Sequence, residues 1–350
     1  MPNQTTDLLA ASLLPGSRAR WLQHLLAERP LAAVLSRPDE HADLLPEPAL
    51  RALRSGVVRR QAETETRRAR EAGLRIVGRD DGDYPRWLRR ISDPPLVLYV
   101  RGTLRPDEGE TSVAIVGARQ CTPAGLAWAH AAAQDLAAVG ATVVSGLARG
   151  IDTAAHQGAL TASGRTVAVL GSSLDRVYPP ENVALSRSLA ERGALVSELP
   201  LGTGPRPEHF PRRNRLIAGW ARAVVVVEAA DRSGALVTAR LAGEEGRDVL
   251  AVPGHPGTRT AAGTNALIRD GAVLVRDAAD VIEAMGLKLV PQAMPAAGGL
   301  LAMLTRDDPR SVDEIQATTG RPIQEVLAEL ATLEMEDKVR RLPGALYVRY

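Results

Sequence analysis

The chain has 350 residues, 45% hydrophobic and 24% charged, which is enough to bury large cores in more than one domain and is the balance of an ordinary globular protein. A net charge of +2 excludes a polybasic coat, so any anion site has to be local. All but two of the 43 basic residues are arginine; coding bias is the simplest cause, yet each Arg still offers a planar fork that suits phosphate.

Cys121 is the single cysteine, which excludes an internal disulfide and fits a reducing compartment. The opening stretch MPNQTTDLLAASLL has no basic region ahead of its apolar residues, and no apolar run approaches the roughly 18 residues that span a bilayer. A cytoplasmic protein without membrane contact is the expectation.

Residues 1–72 read as a small helical domain. Leu8, Leu9, Leu13 and Leu14 precede a Pro-Gly turn, and Trp21, Leu22, Leu25 and Leu26 form the next apolar face. The turn is similar to a degenerate helix-hairpin-helix, with Ser17 and Arg18 where a second glycine is expected; a plain packing domain is the favoured reading. Arg51 to Arg70 reads as a charged helix serving as a solvated face or connector.

Residues 73–286 read as an extended α/β domain. Two short strand-like runs, Leu74–Val77 and Leu96–Val100, look like edge elements. From residue 112 to 275 strands and helices alternate: strands at 113–116, 142–144, 166–170, 194–196, 224–227, 249–252 and 272–274, with helices at 123–138, 151–162, 182–191, 214–220, 235–245 and 264–270. This predicts a Rossmann-like, doubly wound, mostly parallel sheet, whose ligands sit beyond the C-terminal strand ends. Residues 287–300 are rich in Pro, Ala and Gly and read as a linker. Residues 301–350 have the order of a winged helix.

The strand-exit loops carry the candidate site. The first, GARQCTP, has Gly117, Ala118 and Arg119, with Thr122 and Pro123 opening the next helix and leaving amides that suit an anion. Arg119 stands where a dinucleotide fingerprint needs its second glycine. The second loop, SGLARGID, has Ser145, Gly146 and Arg149; Asp152 and His156 follow at i,i+4 spacing and read as an internal hydrogen bond rather than a catalytic or metal pair. A later loop starts a helix with Ser233 and Gly234. FPRRNR supplies Phe210, Arg212, Arg213, Asn214 and Arg215. Three arginines on one short segment favour an extended polyanion over one mononucleotide, and Phe210 either stacks on a base or packs in the core.

These segments, VAIVGARQCTPAG, VVSGLARGIDTAAHQGAL, TVAVLGSSLDRVYPPEN, FPRRNRLIAG, VVVVEAADRSGALVTA, DVLAVPG and GTNALIRDGA in this order, closely resemble the DprA (Smf) family of DNA-processing proteins over about residues 75–285. The resemblance implies a non-enzymatic protein without cofactor or metal. It implies binding of single-stranded DNA in a basic pocket, its protection during natural transformation and homologous recombination, and help in loading RecA; duplex DNA is a further candidate partner. It also implies a homodimer formed through the C-terminal part of the Rossmann-like domain, around Ala266–Met285. The motif serine after Gly117 is alanine here, which removes one hydroxyl donor and keeps the Arg. Glu325, Glu329, Glu334 and Glu336 outweigh Arg321 and Lys338 on the likely reading helix of the winged domain, which favours a protein contact or weak duplex contact through Arg340, Arg341 and Arg349. A competing class is a nucleotide phosphoribohydrolase on a related fold, but the loop EAADRSGALVTA lacks the Pro-Gly-Gly-x-Gly-Thr run followed by Glu that such enzymes carry.

Overall fold

The computed structural model describes residues 4–17, 20–286, 300–305, 309–319, 323–336 and 338–349. Its centre is β3 (Ser112–Val116), flanked on one side by β4 (Thr142–Ser145), β5 (Thr166–Val169) and β6 (Ala194–Ser197) and on the other by β7 (Ala223–Val226), β8 (Asp248–Ala251) and β9 (Val273–Leu274). These seven strands run parallel. Two further strands, β1 (Arg75–Gly78) and β2 (Val97–Gly102), continue the sheet antiparallel beyond β6. The chain therefore builds outward from β3 through β6, then returns to the other side of β3 to add β7. That reversal opens a crevice at the strand ends.

The inner strands β3 to β7 form because their apolar, largely β-branched runs are buried on both faces. Ala114, Val116, Val224 and Val226 point into one core, with the helices His209–Trp220 and Gly234–Glu244. Val113, Ile115, Ala223 and Val225 point into the opposite core, with the helices Pro123–Ala138 and Ile151–Thr161. Helix and strand positions match the sequence expectation within a few residues, with one exception that matters. The helix expected over 214–220 begins at His209. Pro211 is compatible because it falls in the first turn, where its missing N–H costs no internal hydrogen bond.

The N-terminal helices lie against the antiparallel edge. The stretch read as one charged helix is two, Glu47–Arg54 and Val57–Glu71, divided at Gly56 with φ +65°. It is more than a solvated connector. Val58, Ala62, Glu65 and Ala69 form a buried stripe, and one core joins Val58, Ala62 and Ala69 to Leu8, Leu9, Tyr99 and Leu195. The Glu65 carboxylate accepts the Leu201 amide at 2.5 Å, tying this helix to the loop after β6.

The C-terminal unit has its own core of Leu300, Leu304, Ile315, Val326, Leu330, Val339 and Tyr347. Helices Val312–Thr319 and Ile323–Met335 pack beside a three-stranded antiparallel sheet of β10 (Arg310–Ser311), β11 (Val339–Leu342) and β12 (Leu346–Arg349) in the order β10-β12-β11. This is a winged helix. Apart from Leu300, the expected linker lies outside the described residues, as do Arg18 and Arg321.

Candidate functional site

A cleft of about 720 Å³ opens at the C-terminal end of β3, between the His209–Trp220 and Gly234–Glu244 helices. It lies where the strand order reverses, as expected for a doubly wound sheet. Gly117, Arg119, Phe210, Arg213, Asn214, Ser233 and Gly234 all reach it.

Phe210 is the floor marker. Its ring sits over Gly171, where an added Cβ would come 2.8 Å from the ring. The Tyr178 ring stands beside it at 5.8 Å between centroids. The Arg119 guanidinium lies over the open face at 5.0 Å from the ring centre, a cation–π contact that positions the charge without neutralising it. Arg119 is exposed, and among the described residues no carboxylate pairs with it. Phe210 is half-buried, so packing and an open ring face coexist.

The arginine cluster does not act as one. A helix turns about 100° per residue, so Arg212 and Arg215 share a side and Arg213 points away from them. Arg213 is buried under the cleft. Its Nη1 donates to the carbonyls of Gly146, at 2.7 Å, and Val169, and its Nε donates to Asn214 Oδ1 at 3.3 Å. A Cβ on residue 146 would lie 2.5 Å from the Arg213 guanidinium, so Gly146 serves this arginine. Burial, reinforced by the Arg119 charge and opposed by Asp152, brings the Arg213 pKa down to about 10, still charged at neutral pH. Arg212 and Arg215 instead face Glu198, at 3.1 and 2.5 Å, and Arg215 also pairs with Asp93 at 2.9 Å. They line a separate cavity against the N-terminal helices. The reading of three arginines on one rim is corrected accordingly: helical geometry sends two of them elsewhere, into internal ion pairs.

Three other expectations change. The Thr122 and Gly125 amides at the start of the Pro123–Ala138 helix are taken by the protein itself. Glu228 fills that place, accepting from the Thr122 hydroxyl at 2.5 Å and the Thr122 amide at 3.0 Å, while Thr122 caps Gly125. Asp152 and His156 do not bond to each other. Asp152 accepts the Gly146 and Ala148 amides at 3.1 and 3.3 Å; burial raises its pKa against the pull of Arg213. The Thr166 hydroxyl donates to the Val143 carbonyl at 2.8 Å, so the 2.6 Å contact with His156 has the imidazole Nδ1–H donating. His156 Nε2 is left buried without a partner, and burial takes the His156 pKa down to about 3. Ser145 is fully buried and donates to the Ile115 carbonyl at 2.6 Å, joining β4 to β3 rather than facing the cleft.

Arg149 is exposed beside the cleft, paired with Glu181 and stacked 5.9 Å from the Tyr178 ring centre. Ala118, Arg119, Arg149 and Ser233 border an adjoining basin. The Ser233 hydroxyl is taken by the Ala235 amide at 3.2 Å, as a helix cap, and Asn214 donates to the Gly234 carbonyl at 3.2 Å, holding that helix start to the neighbouring helix. Among the cleft residues that escaped the sequence reading, one carries charge. Arg206 is exposed on the loop before the His209–Trp220 helix, lines the cleft, and has no carboxylate partner among the described residues. Its flanking Pro205 and Pro207, each with a fixed φ, were the available signal.

The assembled site presents two guanidinium groups with no carboxylate partner among the described residues, an aromatic face and small residues on an open crevice. Among the described residues no group of His, Cys, Asp or Glu side chains could hold a metal ion, and no helix is long and apolar enough to cross a membrane.

Comparison with known proteins places this architecture. Residues 75–286 match the family model of DNA recombination-mediator protein A, and residues 287–345 match that of the DprA winged helix domain. Protein Smf of Escherichia coli (strain K12) is 39% identical over 290 residues, covering 78% of this chain and 77% of that protein. The DNA processing protein DprA of Streptococcus pneumoniae is 43% identical over 202 residues, 58% of this chain and 71% of that one. The X-ray structure of the pneumococcal protein aligns over 81% of this chain and 98% of its own, with a TM-score of 0.64 and 33% identity. A structure of DNA processing protein A from Helicobacter pylori, described for its single-stranded DNA binding mode, aligns over 61% of this chain and 95% of its own, with a TM-score of 0.54 and 29% identity. The chain belongs to the DprA (Smf) family of DNA-processing proteins.

Proposed function

We propose that the chain binds single-stranded DNA along the cleft at the end of β3, without performing chemistry on it. The observation that carries this reading is the pair of unpaired arginines, Arg119 and Arg206, on a cleft that also holds the Phe210 ring. Phosphates answer the arginines, and a base answers the ring. The combination suits a single strand, whose bases are free to stack, better than a duplex. The described single-stranded DNA binding mode of the H. pylori relative supports the same reading. Arg213, Asn214, Gly146 and Gly117 shape the cleft from beneath. Arg149, Ala118, Ser233 and Gly234 border it, while Arg212, Arg215 and Ser145 support the fold.

Within this reading the protein protects the strand and helps load RecA onto it during natural transformation and homologous recombination in the cytoplasm. It acts as a homodimer. The exposed edge strand β9, with Val273 47% and Leu274 44% accessible, supports pairing through the C-terminal part of the sheet. Glu228, the acid at the β7 exit, is committed to Thr122, which supports a binding role over a hydrolytic one.

A gel shift with single-stranded and duplex DNA of equal length tests the proposal. A shift with the single strand that weakens with salt is expected. No shift with any single strand at low salt removes it.

A further inference from the structure

The basic surface continues past the cleft. A second basin of about 400 Å³ adjoins it and shares Arg119 and Ser233 with it. Arg259, on the loop that follows β8, forms part of its wall. Arg259 is exposed, and among the described residues no carboxylate pairs with it.

The loop that carries Arg259 is anchored. Ala229, just beyond β7, donates its amide to the Thr260 carbonyl at 2.7 Å, and Gly263 donates to the Ala229 carbonyl at 2.8 Å. A Cβ at position 263 would stand 2.8 Å from that same carbonyl, so the close approach requires glycine. Asn265 clamps the other end, accepting the Gly254 amide at 3.2 Å and donating to the Gly254 carbonyl at 2.9 Å. These bonds fix the short Arg259–Ala261 turn against the β7 exit, so the root of the Arg259 side chain is held at the basin.

The basin is also lined by small residues, Ala118, Ala230 and Ser233, which let a phosphate come near the main chain. Arg149 borders it too, but Glu181 shares its charge. The uncompensated positive charge is therefore Arg119, common to the cleft and the basin, and Arg259, which belongs to the basin alone. Two such charges on adjoining depressions that share Arg119 and Ser233 suit several phosphates of a polyanion better than a single small anion.

We propose that the basin takes a further backbone phosphate of a bound single strand through Arg259, so that the strand leaves the cleft over Arg119 toward the loop after β8. This rests on the cleft being a single-strand site, and the test separates the two.

The full chain, Arg259→Ala, Arg259→Gln and Arg119→Ala are titrated with oligo-dT of about 4 and about 16 nucleotides, the ends of the usual range for compact single-strand folds, over graded salt. For the longer oligonucleotide, both Arg259 variants are expected to lose roughly fivefold to tenfold in affinity and to lower the slope of log K against log salt by about 0.7, the value for one phosphate on a single strand. For the shorter one they stay within about twofold of the unsubstituted chain, whereas Arg119→Ala weakens both. Equal behaviour of the Arg259 variants and the unsubstituted chain on the longer oligonucleotide overturns the basin and leaves the cleft standing. Equal losses at both lengths also overturn it, since Arg259 would then not extend the path. Failure of the unsubstituted chain to bind either oligonucleotide overturns both readings. Thermal melts of the two variants, expected to match the unsubstituted chain because Arg259 is exposed, guard against a folding effect.

Discussion

The Arg119 guanidinium lies over the Phe210 ring, 5.0 Å from its centre, and no carboxylate among the described residues shares its charge. The ring orients the arginine and leaves its donors outward. On the proposed reading, Arg119→Ala therefore removes a phosphate contact without removing an internal ion pair. Affinity for oligo-dT is expected to fall roughly tenfold at fixed salt, with Arg206→Ala similar and the double variant flattening the salt slope by about 1.4. Fluorescence anisotropy at several salt concentrations checks this, and thermal melts of both variants stay near the unsubstituted chain because both residues are exposed.

Arg213→Ala behaves differently. It would strand the buried Asp152 carboxylate and leave the Gly146 and Val169 carbonyls without their donor. Leaving buried acceptors without their donor in this way costs about 1–3 kcal/mol for each group, read as a lower urea midpoint. Loss of DNA binding in that variant would report unfolding, so Arg213 is unsuitable as a binding test despite its place in the motif.

Phe210→Leu separates stacking from packing. A leucine still covers Gly171 but has no aromatic face for a base or for Arg119. Base–aromatic stacking contributes about 1–3 kcal/mol, so binding should weaken by at least severalfold while the melting temperature moves little. Unchanged affinity in a folded Phe210→Leu protein would assign the ring to packing alone.

His156 gives a pH signature. Burial holds its folded pKa down at about 3, against about 6.5 in an unfolded chain. Between those values the unfolded state binds a proton that the folded state does not, so stability is complete above about pH 6.5 and is lost as pH falls toward 3, at up to about 1.4 kcal/mol per pH unit. Denaturant midpoints at neutral and mildly acidic pH should diverge less in His156→Gln than in the unsubstituted chain.

The edge of the sheet offers a test of assembly. Val273→Glu with Leu274→Glu places charge on the exposed β9 edge, where like charges from a second copy would face each other. Sedimentation is expected to show a dimer for the unsubstituted chain, as proposed, and a monomer for the double variant. An unaltered dimer would move the interface elsewhere.

The parallel sheet was legible because short runs such as Ala223–Val226 are apolar at every position and rich in β-branched residues, and because they alternate with helical stretches, as strands covered on both faces do. The cleft was legible in outline, since ligands gather where such a sheet reverses. The roles of FPRRNR were not. Reading it as a loop ahead of a helix treated its arginines as neighbours, whereas a helix from His209 sets Arg213 on a different side from Arg212 and Arg215. Glu198 and Asp93, which engage Arg215, and Glu228, which fills a helix start, come from remote segments and leave no local trace in the sequence. Arg206 was overlooked because it stands outside the arginine cluster, between two prolines.

The places where Glu228 and Asp152 sit have a consequence for what the surface can hold. Main-chain amides that elsewhere would clasp a terminal phosphate are already occupied by the protein's own acids. On the proposed reading, a free mononucleotide forgoes those three amides and relies more on side-chain grips, each weak alone, while a polymer engages several together. Grips of that kind can be released one after another, so a strand could be passed to an incoming protein in stages, without ever being wholly let go.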